Sequence, residues 1–161
     1  MAFTVENGTN VADANSLVSV AEADAYHLDR GNAEWAGTDA VKQSALIKAT
    51  DYITQNYDGR WTGEVVSDTQ SLAWPRKCTV VASNVVPALV KHAVCLLALE
   101  ALTADLNPVL ERGGAIKREK VDVIETEYMD GAPVGTVRPA VDGLLKKYLR
   151  GPSINRRVVR V

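Results

Sequence analysis

"PALVKHAVCLLALEALTADL", residues 87–106, is apolar on nearly every side, with only Lys91, His92, Glu100 and Asp105 as marked polar breaks. A helix that is hydrophobic all round belongs at the centre of a core. This stretch therefore predicts a helical domain wrapped around one buried segment. Pro87 suits the first turn, where the N–H that proline lacks has no intrahelical partner. Asn107-Pro108 is predicted to end the helix.

The flanking segments supply its partners. Ser19-Val20-Ala21-Glu22 is a capping box, in which the serine side chain accepts from an orphan N–H and Glu22 reaches back to the cap. It predicts a helix over about 20–30, stopped at Gly31. A second helix is predicted from Thr38 or Asp39 to near Asn56, because Val41, Ala45, Ile47, Ala49, Tyr52 and Ile53 recur at three- and four-residue spacing. "RPAVDGLLKKYLR", residues 138–150, makes a short last helix with Pro139 near its start. The expected fold class is mainly α, a small bundle of about four helices with a β-hairpin or extended arm and flexible termini.

Between these elements the signals differ. Residues 1–18 are polar and rich in turn formers, and Asn7-Gly8 suits a tight turn, so an extended arm or short strand is expected. Residues 57–84 are too long for a bland loop in a compact domain. They carry two of the three tryptophans, and Trp61 and Trp74 are expected to order the segment by packing onto the helices. Glu111-Arg112-Gly113-Gly114 is read as a flexible joint. "KVDVIETEYMDG", residues 120–131, is rich in β-formers and is read as a strand or hairpin arm. Its alternation changes phase between Val123 and Ile124, which predicts a bulge or twist. The chain divides into one domain over 1–150 and a docking tail over 151–161.

Composition narrows the function. The 161 residues suit one buried core, and 47% apolar with 24% charged residues is ordinary globular usage. A net charge of −2 gives no global pull toward nucleic acid. No apolar run reaches the roughly 18 residues that a membrane helix needs. The start of the chain has no basic segment and no apolar signal core. Cys78 and Cys95 are the only cysteines, at neither metal nor disulfide-framework spacing, and a reduced, cytosolic setting is the simplest reading.

Each candidate for chemistry meets a plainer alternative. Gly113-Gly114 lacks the Lys-Ser/Thr of a phosphate loop. His27 and His92 lie on separate helices, and a lone helical histidine is more often packed or solvated than catalytic. Ser71 has no nucleophile-elbow context. Cys95 sits inside the apolar helix as a small hydrophobe. No enzyme, cofactor or metal site is expected. Asp122, Glu125, Glu127 and Asp130 match no calcium loop. They read as a solvated strand edge that discourages edge pairing, or, in a ring, as a negative lining. The tail "GPSINRRVVRV" has no acid, and with Arg150 it carries Arg156, Arg157 and Arg160. Single-strand binders interleave basic and aromatic residues, and no aromatic follows Tyr148. Val158-Val159 between arginines looks more like a strand added to a partner's edge. In "SLAWPRKC", residues 71–78, Trp74 reads as a core plug, with Arg76 at the rim in reach of a carboxylate. The functional alternative is an exposed Trp–Arg pair at an interface.

Several segments together carry a family resemblance. "VENGTNVADANSLVSVAEADAYHLDRGNAEWAG", "ALIKATDYI", "QSLAWPR", "VVPALVKHAVCLLALEAL", "GGAIKREKV" and "PAVDGLLKKYL" resemble, in order, phage proteins labelled DnaT-like single-strand DNA-binding. They are also similar to the head–tail connector, or adaptor, proteins of long-tailed phages. The adaptor resemblance implies a virion structural protein of the neck region, present in the host cytoplasm during assembly. It implies a ring of about twelve identical subunits beneath the portal protein. Double-stranded DNA would pass through the ring without specific binding, and a downstream neck, stopper or tail-completion protein would dock below. The free subunit is then expected as a monomer until it meets the portal. The C-terminal segment would grip the portal through Arg150, Ile154, Arg156, Arg157, Val158, Val159 and Arg160. Asp122, Glu125, Glu127 and Asp130 would face the channel. The DnaT-like label implies instead a single-stranded-DNA-binding accessory protein. No membrane partner is implied by either.

Overall fold

The computed structural model describes residues 2–108, 116–120, 125–128 and 137–151. The domain is mainly helical: α1 (Val20–Leu28), α2 (Asp39–Asn56), α3 (Ala88–Ala101) and α4 (Pro139–Leu145), the last running into a 3-10 turn over Lys146–Tyr148. No described helix is long and apolar enough to cross a membrane. α3 is the hub and packs against α1, α2 and α4. Its Val90, Ala93, Val94, Leu97 and Ala98 are fully buried, as the all-round apolar pattern requires.

The caps follow the sequence. Glu22 N–H donates to Ser19 Oγ at 3.2 Å, and Ser19 N–H donates to Glu22 Oε2 at 2.9 Å, closing the capping box of α1. Pro87 is the N-cap of α3. α3 ends earlier than Asn107-Pro108 would place it. Turn bonds from the Leu102, Thr103 and Ala104 N–H groups back to the Leu99 and Glu100 carbonyls close it. The Asp105 carboxylate then takes the Asn107 N–H at 3.0 Å, a local bond that competes with helix.

The first eighteen residues fold back on the body. Val5 and Ser16 form a parallel bridge, and Leu17 and Val18 are fully buried. Glu6 is 1% exposed, and its carboxylate accepts the N–H groups of Gly8, Asn10 and Val11 at 2.7, 3.0 and 2.8 Å. These bonds replace the strand partner that the loop lacks. Gly8 has φ +105°, and a Cβ there would lie 2.0 Å from the Asn84 carbonyl oxygen. The predicted turn is thus also a close approach of two backbones.

The connector over 57–84 is ordered through its tryptophans. Trp61 and Trp74 are 2% and 0% exposed. Two short antiparallel strands, β1 (Glu64–Val65) and β2 (Arg76–Lys77), pair within it and close the loop between them. Further on, β3 (Ile116–Lys120) pairs with β4 (Glu125–Tyr128) as an antiparallel hairpin. The first strand therefore starts before the predicted 120–131 segment. The irregularity in register lies between Ile116 and Arg118, not at the phase change near Val123. The predicted joint at Gly113-Gly114 falls outside the described residues.

Candidate functional site

Three side-chain clusters stand out, two of them beside the described residues that flank 109–136 and that precede 152–161. The first surrounds Trp74, whose ring lies edge-on to Trp61 (centroids 5.8 Å apart) and to Tyr148 (5.6 Å). Tyr57 continues the row, 5.9 Å from Trp61. The Trp74–Pro75 peptide is cis. Arg76 does not reach a carboxylate, contrary to the expectation for it. Its guanidinium donates to three backbone carbonyls: Thr62 at 2.9 Å, Ala73 at 3.2 Å and Gly63 at 3.0 Å. These carbonyls sit in tight loop turns without partners of their own, and a planar five-donor fork satisfies them together. Burial holds the Arg76 pKa below the ordinary guanidinium range.

The second cluster is the root of the hairpin excursion. Arg138 forms a two-pronged pair with Glu100, Nη2 to Oε1 at 2.6 Å and Nε to Oε2 at 2.9 Å. Its Nη1 donates to the Tyr52 hydroxyl at 2.9 Å, and its Nη2 also donates to the Leu106 carbonyl at 3.1 Å. One side chain thus ties α2, α3 and both ends of the excursion over 109–136. The hydrogen bond from Arg138 lowers the Glu100 pKa. Sequence reading passed over Arg138. The signal was Glu100, the one carboxylate on the mostly apolar helix, which calls for a cation.

The third cluster is the root of the C-terminal tail. Leu149 bridges Trp61 antiparallel, Thr62 N–H donates to the Tyr148 carbonyl at 2.9 Å, and Arg150 N–H donates to the Arg60 carbonyl at 2.7 Å. The Tyr57 hydroxyl donates to Asp142 Oδ1 at 2.7 Å. Burial and this carboxylate push the Tyr57 pKa up. Of the residues nominated for docking, Arg150 is exposed at this root. Ile154, Arg156, Arg157, Val158, Val159 and Arg160 lie outside the described residues. So do Asp122 and Asp130; Glu125 and Glu127 lie on β4, in register with Lys120 and Arg118, and their side chains are not described.

The titratable groups are placed as packing elements. Among the described residues, no three of His, Cys, Asp and Glu converge to hold a metal ion. Burial raises the Cys95 thiol to about 12, which leaves it protonated and inert. His27, 1% exposed, stacks on Trp35 with centroids 4.6 Å apart, and burial lowers its pKa. Seven of the nine aromatic side chains are buried: Tyr26, Trp35, Tyr52, Tyr57, Trp61, Trp74 and Tyr148. Phe3 is half-buried, and the Tyr128 side chain lies outside the described ones. Base-stacking surfaces need exposed rings, and the described surface offers none.

A family model with the description "Putative DnaT-like ssDNA binding protein" matches residues 1–161. No curated protein and no solved structure matches the chain.

Proposed function

The chain belongs to this DnaT-like family, and from that premise we propose that it is a non-enzymatic assembly subunit, a phage head–tail adaptor that forms a ring beneath the portal. One observation carries the reading. The body fixes the places where the hairpin segment and the basic tail begin, through the Arg138 fork and the Trp61–Leu149 bridge. A rigid body with fixed roots for two appendages suits a part that locks onto neighbours. In this reading the tail from Arg150 onward engages the portal, neighbouring subunits close the ring, and a neck, stopper or tail-completion protein docks below. The protein then resides in the virion neck, after assembly in the host cytoplasm, and double-stranded DNA passes without specific contacts.

A second reading, single-stranded DNA binding, is favoured by the family's description. Against it stand the buried aromatic rings and the net charge of −2. Native mass spectrometry of the protein alone and mixed with the portal of its phage separates the two. A monomer alone and a ring of copies added per portal, about twelve as the adaptor resemblance implies and closed by head-to-tail contacts, supports the adaptor. No association by folded protein, together with salt-sensitive binding to oligonucleotides, replaces it with the DNA-binding reading. Removal of residues 151–161 abolishes portal binding and leaves the helical signal intact if the tail is the grip.

A further inference from the structure

The two ends of α2 carry opposite charge, and each carries an apolar feature that the described residues leave uncovered. At the N-terminal end, Asp29, Glu34 and Asp39 are exposed, and among the described residues no ion pair holds them. Asp24 is already matched by Lys42 at 2.8 Å, and the exposed Arg30 lies over the Tyr26 ring at 3.6 Å with its charge kept. Asp29, Glu34 and Asp39 against Arg30 leave the end net acidic. Leu28 is 82% exposed and Val41 49% exposed at the same end. A large aliphatic side chain so exposed is ordinary by itself; here two of them sit beside one acidic loop.

The other end is the counterpart. Beyond the α2 C-terminus, Gly59, Arg60, Gly143, Lys146, Leu149 and Arg150 line a cleft of about 730 Å³. The one carboxylate in its wall, Asp142, is occupied by the Tyr57 hydroxyl. Arg60, Lys146, Lys147 and Arg150 are exposed around it with no described carboxylate in ion-pair range, and they outnumber Asp58, the exposed acid two residues before Arg60. Three glycines, Gly59, Gly143 and Gly151, and Leu149 leave the floor open and apolar. The 18 residues of α2 separate the two ends by about 27 Å at 1.5 Å per residue.

We propose that the acidic end carrying Leu28 seats in the basic cleft of a second copy of this chain, so that subunits join head to tail along α2. Charge complementarity identifies the occupant: each end matches the opposite end and repels itself. A two-fold dimer through either patch would place like charges face to face. A contact between different patches propagates into a ring or a filament. The inference rests on the ring proposed above and supplies its side-to-side contact.

The test uses the full chain without a portal, so that failure of the contact is distinct from failure of portal binding. Sedimentation velocity at low salt, from about 10 μM to about 1 mM, spans the weak affinity expected of a small charged contact. The wild-type chain is expected to be monomeric at the low end and to associate toward the high end. The double variants Asp29→Lys/Glu34→Lys and Arg60→Glu/Lys146→Glu, neither of which touches the portal-gripping tail, should each remain monomeric throughout. An equimolar mixture of the two should associate again, because reversed ends complement one another. Leu28→Ser, which leaves the charge unchanged, should weaken association at least tenfold. A wild-type chain monomeric to about 1 mM, reversal variants that associate as the wild type does, or a mixture that fails to recover would overturn the contact. Association seen only after residues 152–161 are removed would also overturn it, since the cleft would then belong to the chain's own tail. A reversal variant that still binds the portal leaves the adaptor reading standing.

Discussion

Replacing Arg138 by methionine keeps the aliphatic stem and removes the fork. The Arg138 side chain is 8% exposed, and Glu100 is 39% exposed. The exposed carboxylate recovers most of its solvation when its partner goes, so the ion pair itself contributes about 1 kcal/mol. The buried groups cost more. Leu106, 5% exposed, loses the donor to its carbonyl, which is about 1–2 kcal/mol. The Tyr52 hydroxyl, on a residue 8% exposed, loses a donor as well, for about 1 kcal/mol more. The sum is about 3 kcal/mol, or a fall in Tm of roughly 6–12 °C for a chain of this size. Urea unfolding of wild type and variant, followed by circular dichroism, measures it. Arg138→Lys should lose nearly as much, because one ammonium cannot serve Glu100, Tyr52 and Leu106 together. A double-mutant cycle with Glu100→Gln should give a coupling of about 1 kcal/mol. A loss below about 1 kcal/mol for Arg138→Met, or an Arg138→Lys protein as stable as wild type, would show that the fork does not hold the Leu106 carbonyl and the Tyr52 hydroxyl.

Other perturbations test the remaining parts of the body. Trp74→Ala opens the row between Trp61 and Tyr148 and should cost about 3–5 kcal/mol in urea unfolding; a smaller cost would mean that the neighbouring rings collapse into the space. Gly8→Ala places a Cβ 2.0 Å from the Asn84 carbonyl oxygen at φ +105°. It should cost more than about 2 kcal/mol, with faster hydrogen exchange at Glu6 and Val11. Stability should also fall with acid in two stages. Burial lowers the His27 pKa, so the unfolded chain takes up a proton that the folded chain refuses. That contribution is present above the unfolded value near 6.5 and declines as pH falls below it. Burial opposes ionisation of Glu22 and Asp24, but hydrogen bonds from Lys91 and Ser19 to the first, and from Lys42 and Trp35 to the second, leave both pKa values lowered. Hydrogen bonds from Arg138 do the same at Glu100. These carboxylates stabilise the fold above about pH 4 and stop doing so as pH falls through their lowered values. Urea midpoints from pH 7 to pH 3 should show both stages, and His27→Asn should reduce the upper one, leaving the part due to His92, whose pKa burial also lowers.

The fold was legible where local and global signals agree. The all-round apolar pattern at 88–101 marks the central helix without help from its neighbours, and the capping box at Ser19 marks the start of α1 to the residue. What stayed hidden depends on contacts distant in sequence. Glu6 reads as a surface acid beside a turn, and only the folded loop shows its carboxylate gathering three N–H groups. Arg76 has no carboxylate within reach, because the loops around Gly63 and Ala73 bring bare carbonyls to it first. Arg138 meets Glu100 across 38 residues, a pairing that no short-range spacing encodes. The charge contrast between the ends of α2 was equally invisible, because Arg60 and Arg150 become neighbours only through the bridge at Leu149.

Holding both ends of the excursion over 109–136 at one arginine also bears on how such a protein changes over generations. When the exit and return of a segment are fixed by the body, its length no longer concerns the body's stability. Doubling a closed loop adds only about 0.6 kcal/mol of closure entropy, less than the loss assigned above to Arg138→Met. Insertions, deletions and wholesale replacement of that segment should therefore be tolerated, with Arg138, Glu100 and Tyr52 as the socket that keeps accepting new versions.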